Sequence, residues 1–106
     1  MISTLTLNPS LDYLMKLEDF HPGAVNRYRK EQIYPGGKGI NVSLLLAQLG
    51  VASSALGFLA GFSGREIQDR LSSPLIRPQF IELKEGLSRI NVKFSDNQKE
   101  TEINAS

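Results

Sequence analysis

Between Ser88 and Ser95 apolar and polar side chains alternate strictly, with Ile90, Val92 and Phe94 on one side and Arg89, Asn91 and Lys93 on the other. A period of two belongs to a half-buried β-strand, which makes this the clearest strand of the chain. Residues 2 to 7 carry a shorter version: Leu5 and Leu7 share one face, Thr4 and Thr6 the other, and Asn8-Pro9 closes the segment. Tyr13, Met15 and Leu17 alternate with Leu14, Lys16 and Glu18, which predicts another strand, and His21-Pro22-Gly23 marks a turn. Val25, Tyr28, Ile33 and Tyr34 suggest further extended pieces without strict alternation. Two readings of 13–34 stand side by side: a small functional flap before the first helix, or a plain surface hairpin.

From residue 40 the period changes. Ile40, Val42, Leu44, Leu45, Leu46, Ala47 and Leu49 put apolar groups on nearly every face of a helix, and Gly50 fits the position just past its end. Such a helix is expected to be buried all round. Its polar residues, Asn41, Ser43 and Gln48, are then informative; Asn41 lies in the first turn, where backbone N–H groups lack partners and positive potential collects. Residues 51 to 58 give a short, weak strand, and 57–64 a flexible glycine-containing stretch. Ser63 to Leu71 is a short helix, with capping-box spacing between Ser63 and Glu66 and with Ile67 and Leu71 on one face. Pro74 and Pro78 end any continuation. Phe80 to Leu83 is a strand, 96–99 a turn, and Thr101 to Asn104 a returning strand inside which the sequence stops. That stop predicts a fragment of a longer protein. The order of strand, flap, glycine loop, helix, strand, helix, strand and hairpin is the opening of an α/β domain.

Composition narrows the function. The 106 residues carry twelve basic and eleven acidic side chains, a net charge of +1 that gives no long-range pull toward a polyanion. The densest basic cluster, Arg27, Arg29 and Lys30, falls short of a nucleic-acid footprint. Without cysteine there is no disulfide or thiolate chemistry, and the single His21 has no carboxylates at metal-ligand spacing. MISTLTLNPS lacks the basic and apolar regions of a signal peptide, and no run reaches the roughly 18 apolar residues of a membrane span, so a cytoplasmic, non-membrane protein is expected.

The chemistry concentrates at Pro35-Gly36-Gly37-Lys38-Gly39. This is neither a Walker phosphate loop nor a dinucleotide fingerprint. Glycines nevertheless let a backbone approach a ligand closely, and the helix start that follows offers N–H donors to an anion or hydroxyl. The same residues would also serve as a tight turn into a helix. Asp12, near the end of the first strand, could accept from two adjacent hydroxyls, as sugar recognition requires, or cap its own backbone. Arg89 has the bidentate geometry that suits a phosphate, although a solvated sheet face would look similar.

TLNPSLD at 6–12, PGGKGINVSLLLAQLG at 35–50, GFLAGFSG at 57–64 and SRINVK at 88–93 together resemble the ribokinase/PfkB carbohydrate kinase family. Within it they are similar to the branch containing 1-phosphofructokinase and tagatose-6-phosphate kinase. The resemblance runs through the whole chain but covers only the front portion of members, which are much longer. One departure is Ala60, where the family signature usually has glycine, with Gly61 next, so a tight turn is expected to shift by one residue. Residues 72–79 also look irregular where relatives often have a glycine-containing link.

The resemblance implies an α/β, ribokinase-like fold: the N-terminal part of a mostly parallel sheet flanked by helices, with a small β-sheet lid drawn from about 13–34 and 88–104. It implies that Asp12 holds sugar hydroxyls, that Gly37, Lys38 and Asn41 line the sugar-phosphate pocket, and that Arg89 meets the substrate's phosphate. Arg27, on the lid, would reach a phosphate in its own or a neighbouring subunit, since lids of this family often pair into homodimers. The general base and most of the ATP and Mg2+ sites are expected downstream of Ser106, so residues 1–106 alone are expected to be inactive. The implied reaction is ATP-dependent phosphoryl transfer to a ketohexose phosphate, foremost fructose 1-phosphate to fructose 1,6-bisphosphate. Alternatives are tagatose 6-phosphate, an unphosphorylated sugar or nucleoside, and a non-enzymatic α/β binding module.

Overall fold

Two sheets divide the chain between them. The computed structural model describes residues 1–97 and 99–105; Gln98, in the expected turn 96–99, and Ser106, where the last strand was expected to be cut, lie outside the described residues. In chain order the elements are β1 (Ile2–Thr6), β2 (Ser10–Lys16), β3 (Lys30–Gly36), α1 (Lys38–Gln48), β4 (Ser53–Ala60), α2 (Gly61–Asp69), β5 (Ile76–Leu83), β6 (Arg89–Ser95) and β7 (Glu100–Ile103). The first sheet has the order β1-β4-β5 and is parallel throughout. The second has the order β3-β2-β6-β7; its hairpins β2–β3 and β6–β7 are antiparallel and meet along a parallel β2–β6 seam.

Both crossovers, β1-α1-β4 and β4-α2-β5, step the same way across the first sheet, and right-handed connections then place both helices on one face. The core reflects this. Ile40 of α1, Ile67 of α2, Leu71 just beyond it, Leu59 of β4 and Leu11 of β2 form one buried cluster, with Ile33, Leu44 and Phe80 packed against it. Because Leu11 and Ile33 belong to the second sheet, this cluster also fixes that lid-like sheet against the first.

The strand β1 is anchored by its threonines. Thr4 and Thr6 are buried while Leu5 is exposed. Thr4 Oγ1 and Ser43 Oγ are 2.7 Å apart, and Ser53 Oγ donates to Ser43 Oγ at 2.9 Å. These hydroxyls satisfy one another across the sheet–helix contact, where an isolated buried hydroxyl would cost about 1–3 kcal/mol. A second polar tie joins the sheets: Ser63 Oγ donates to the Ser88 carbonyl at 2.7 Å, and Ser88 Oγ accepts from the Ala60 N–H at 3.0 Å.

Several expectations need correction. Helix α1 is not buried all round: Ile40 and Ser43 face the core, whereas Val42, Leu45 and Leu49 are exposed at 47%, 56% and 68%. The expected weak strand at 51–58 is the eight-residue central strand of the parallel sheet, paired on both sides. Gly57–Gly64 is no flexible stretch, since it ends β4 and begins α2. Ser63 does not cap α2, because it lies inside the helix and its hydroxyl is spent on Ser88. Val25 and Tyr28 stand outside any strand. The helix end at Gly50 is as expected: the Gly50 and Val51 N–H groups bond the Ala47 and Leu46 carbonyls, the double bond of a Schellman motif. At the shifted turn, Ala60 is extended and Gly61 takes the positive φ of 63°.

Candidate functional site

The end of β3 runs through Gly36 into Gly37, whose φ of 127° turns the chain into α1. A Cβ at Gly37 would strike the Thr6 methyl group, and one at Gly39 would lie 2.7 Å from the Leu5 carbonyl oxygen. The glycine loop therefore lies flat on the end of β1. Gly37 is the N-cap of α1 and has no side chain to cap with; Thr6 Oγ1 supplies the missing acceptor, taking the Ile40 N–H at 2.9 Å. The first-turn N–H groups at Lys38 and Gly39 have no carbonyl within the helix to bond, which leaves positive potential at this end.

Asp12 stands beside that loop. It sits in the middle of the seam, opposite Tyr34 of β3 and Asn91 of β6. Its Oδ1 accepts from Ser10 Oγ at 2.8 Å and from Asn91 Nδ2 at 3.2 Å. A Cβ at Gly36 would collide with Oδ2, so the carboxylate rests against bare backbone. Asp12 and the glycine loop thus share one side of the lid-like sheet. They border a cavity of about 430 Å³ whose polar lining is Asp12, Asn41, Asn91, Lys93, Glu102 and Asn104, with Leu14 and Leu44 among its apolar walls. That size suits a small molecule.

The residues singled out from the sequence fall into three groups. Asp12 and Asn41 line the cavity. Gly37 is the N-cap and Lys38 the first residue of α1; neither is part of the cavity lining, and Lys38 is exposed. Arg89 begins β6 opposite Ser10, on the face it shares with Asn91 and Lys93, and its Nε donates to the Asn8 carbonyl at 3.1 Å. It is not part of the cavity lining. Arg27 is not brought there. It lies in the 17–29 connection beyond the Lys16–Lys30 end of the hairpin, and Asp12 to Lys16 alone spans about 13 Å of strand.

Sequence reasoning missed Ser10, Asn91, Lys93, Glu102 and Asn104 as site residues. The alternation in β6 held a signal for two of them, since Asn91 and Lys93 share the face of Arg89. Lys93 is not a free cation. Its Nζ is 2.9 Å from Glu102 and 3.7 Å from Glu100, both on β7. The hydrogen bond that Lys93 donates to Glu102, then the charges of Glu100 and Glu102, hold the Lys93 ammonium above the ordinary lysine range. Reciprocally, the Lys93 hydrogen bond and charge hold the Glu102 carboxyl below the ordinary range. Arg89, Lys38 and the α1 N-terminus carry positive charge toward the β1 end. Asp12 and Asn41 present a carboxylate and an amide to the cavity. Among the described residues no group of three or more acidic or histidine side chains could hold a metal ion. No described helix is long and apolar enough to cross a membrane.

Comparison with known proteins agrees with this fold. The profile of the pfkB family carbohydrate kinases matches residues 5–106. The 1-phosphofructokinase of Bacillus subtilis (strain 168) is 52% identical over 104 residues, covering 98% of this chain and 34% of the relative. That of Borreliella burgdorferi is 49% identical over 105 residues, covering 99% of this chain and 34% of the relative. A crystal structure of a Staphylococcus aureus protein assigned as a phosphofructokinase superposes with a TM-score of 0.88 at 50% identity, covering 99% of this chain and 34% of that one. The chain spans about a third of the length of the curated relatives it matches. Its fold is accordingly the ribokinase-like α/β arrangement with a lid-like sheet, and the chain belongs to the pfkB family of carbohydrate kinases.

Proposed function

We propose that the protein to which this chain belongs is a 1-phosphofructokinase, moving the γ-phosphoryl of ATP onto the carbon-6 hydroxyl of fructose 1-phosphate. The observation that carries the reading is the meeting of the Asp12 carboxylate with the glycine loop and α1 start at one cavity. A ketohexose phosphate needs both: a fixed acceptor for its hydroxyls and a positive rim for its phosphate. The names of the two 1-phosphofructokinases at 52% and 49% identity support the same substrate.

In this reading Asp12 Oδ2 takes sugar hydroxyls, and Asn41 and the Gly37 backbone line the sugar. Arg89 and Lys38 hold the phosphate already on the substrate. Arg27 is too far along the lid to join them within one chain, so it would act on a phosphate only from a second copy paired through the lid. Phosphoryl transfer rests mainly on positioning and charge stabilisation. In this reading residues 1–106 position the acceptor sugar, and Mg·ATP and the general base are held by other parts of the protein. Such an enzyme works in the cytoplasm on a soluble metabolite.

The test is the full-length protein with ATP and, separately, fructose 1-phosphate, tagatose 6-phosphate and unphosphorylated fructose. Fructose 1-phosphate is expected to give the highest kcat/KM. Preference for tagatose 6-phosphate would move the assignment within the branch, and failure with both phosphates would remove it.

A further inference from the structure

We infer that Asn91 is a positioning residue for substrate recognition, acting through Asp12. The inference rests on the function proposed above. A carboxylate on a strand can rotate about its last side-chain bond, so holding one oxygen ready for a hydroxyl requires pinning the other. Asp12 Oδ1 receives two donors, Ser10 Oγ at 2.8 Å and Asn91 Nδ2 at 3.2 Å. Oδ2 is left at the bare Gly36 backbone, beside the cavity.

The two donors differ in kind. Ser10 is 2% exposed and two residues before Asp12 on the same strand, a local brace. Asn91 comes from 79 residues away across the β2–β6 seam and also lines the cavity. Its own amide is fixed from the other side, since Asn91 Oδ1 accepts from the Ala105 N–H at 3.0 Å. A carboxylate on one side and an N–H on the other leave a single amide orientation that satisfies both. The placement of the chain after β7 is thereby linked through Asn91 to the acid that grips the sugar. An aspartate here would set two carboxylates against each other, and an alanine would remove both Asn91 bonds while leaving the Ser10 brace on Asp12.

The experiment is a double-mutant cycle in the full-length protein with ATP and fructose 1-phosphate. Asn91→Ala is expected to raise KM about tenfold with kcat within about threefold, because a lost ground-state grip appears in KM. In an Asp12→Ala background the same substitution is expected to change KM less than twofold, a non-additivity that a merely structural role would not produce. If Asp12→Ala turns over too slowly, the cycle is read on fructose 1-phosphate affinity by calorimetry. If Asn91→Ala fails to fold, Ser10→Ala and Asn91→Ser enter the same cycle. Equal losses in both backgrounds, or an unchanged KM in Asn91→Ala, would overturn this inference while leaving the proposed function intact. A wild-type protein that phosphorylates no sugar phosphate would overturn both.

Discussion

Asp12 and Gly36 occupy complementary space: the carboxylate of one fills the volume that a side chain on the other would need, and Ser10 Oγ borders the same volume. The Asp12 carboxylate and the glycine loop are therefore one unit. The loop can approach the carboxylate because residue 36 has no Cβ, and the carboxylate is steadied because the loop is there. Gly36 pairs with Ser10 in the antiparallel hairpin, so the contact is set by backbone register.

Substituting Gly36 by alanine is the direct check on this relationship. The new methyl group would push Asp12 and Ser10 aside, and overpacking of this kind typically costs about 1–3 kcal/mol. In the full-length protein, Gly36→Ala is expected to raise KM for fructose 1-phosphate at least about tenfold, with a smaller fall in kcat. Steady-state kinetics decide it; an unchanged KM would show that Asp12 does not need its present position.

Thr6 gives a prediction about stability. Its hydroxyl caps α1 from another element, so replacing it removes an acceptor from the N–H of the fully buried Ile40. Thr6→Val keeps the shape and deletes the oxygen, and an unsatisfied buried donor costs about 1–3 kcal/mol. Urea unfolding of the full-length protein is expected to show a lower midpoint at unchanged slope. A shift worth less than about 0.3 kcal/mol would mean water reaches the site and replaces the hydroxyl.

Where these groups meet was only partly legible in the sequence. Alternation exposed β6, and Gly36-Gly37-Lys38-Gly39 before an apolar run announced the loop and α1. The importance of β4 was hidden because Ser53, Ser54 and Gly57 lower its hydrophobicity, and its central place depends on neighbours on both sides. The Ser63–Glu66 spacing misled because a tertiary partner, the Ser88 carbonyl, took the hydroxyl. Asn91 and Asp12 meet through the register of a parallel seam joining residues 79 apart, and period-two patterns fix a face without fixing a partner. Lys93 read as one more basic residue because its two carboxylates lie on the next strand.

The exposed apolar faces bear on residues 1–106 as an isolated polypeptide. Leu5 with Leu56 and Phe58 with Ile81 are neighbours on the sheet face away from the helices, and Leu5, Phe58, Ile81 and Leu83 are exposed. Val42, Leu45 and Leu49 add an apolar stripe on α1. Patches of this kind promote association. The isolated polypeptide is expected to self-associate and bind a hydrophobic dye, and to transfer no phosphoryl group from ATP. Monomeric sedimentation with cooperative unfolding would contradict the first expectation, and measurable ATP-dependent sugar phosphorylation the second.

Under the proposed function, Arg89 is the residue expected to separate a phosphorylated substrate from a neutral one. The Asn8 carbonyl holds its Nε at 3.1 Å just past the end of β1, and a neutral carbonyl leaves the guanidinium charge in place. Its strand partner Ser10 braces Asp12, so the guanidinium and the Asp12 carboxylate are fixed by one register. Removing a charged hydrogen-bond partner from a bound phosphate typically costs about 2–4 kcal/mol. Arg89→Ala is therefore expected to lower kcat/KM for fructose 1-phosphate about 30- to 1000-fold while leaving any trace activity on unphosphorylated fructose nearly unchanged. Arg89→Lys is expected to recover only part of the loss, because an ammonium cannot reproduce the bidentate fork. The ratio of the two substrates' kcat/KM values across these variants is the deciding measurement. Equal losses on both sugars would mean that Arg89 serves the fold through Asn8 and that the phosphate is held elsewhere.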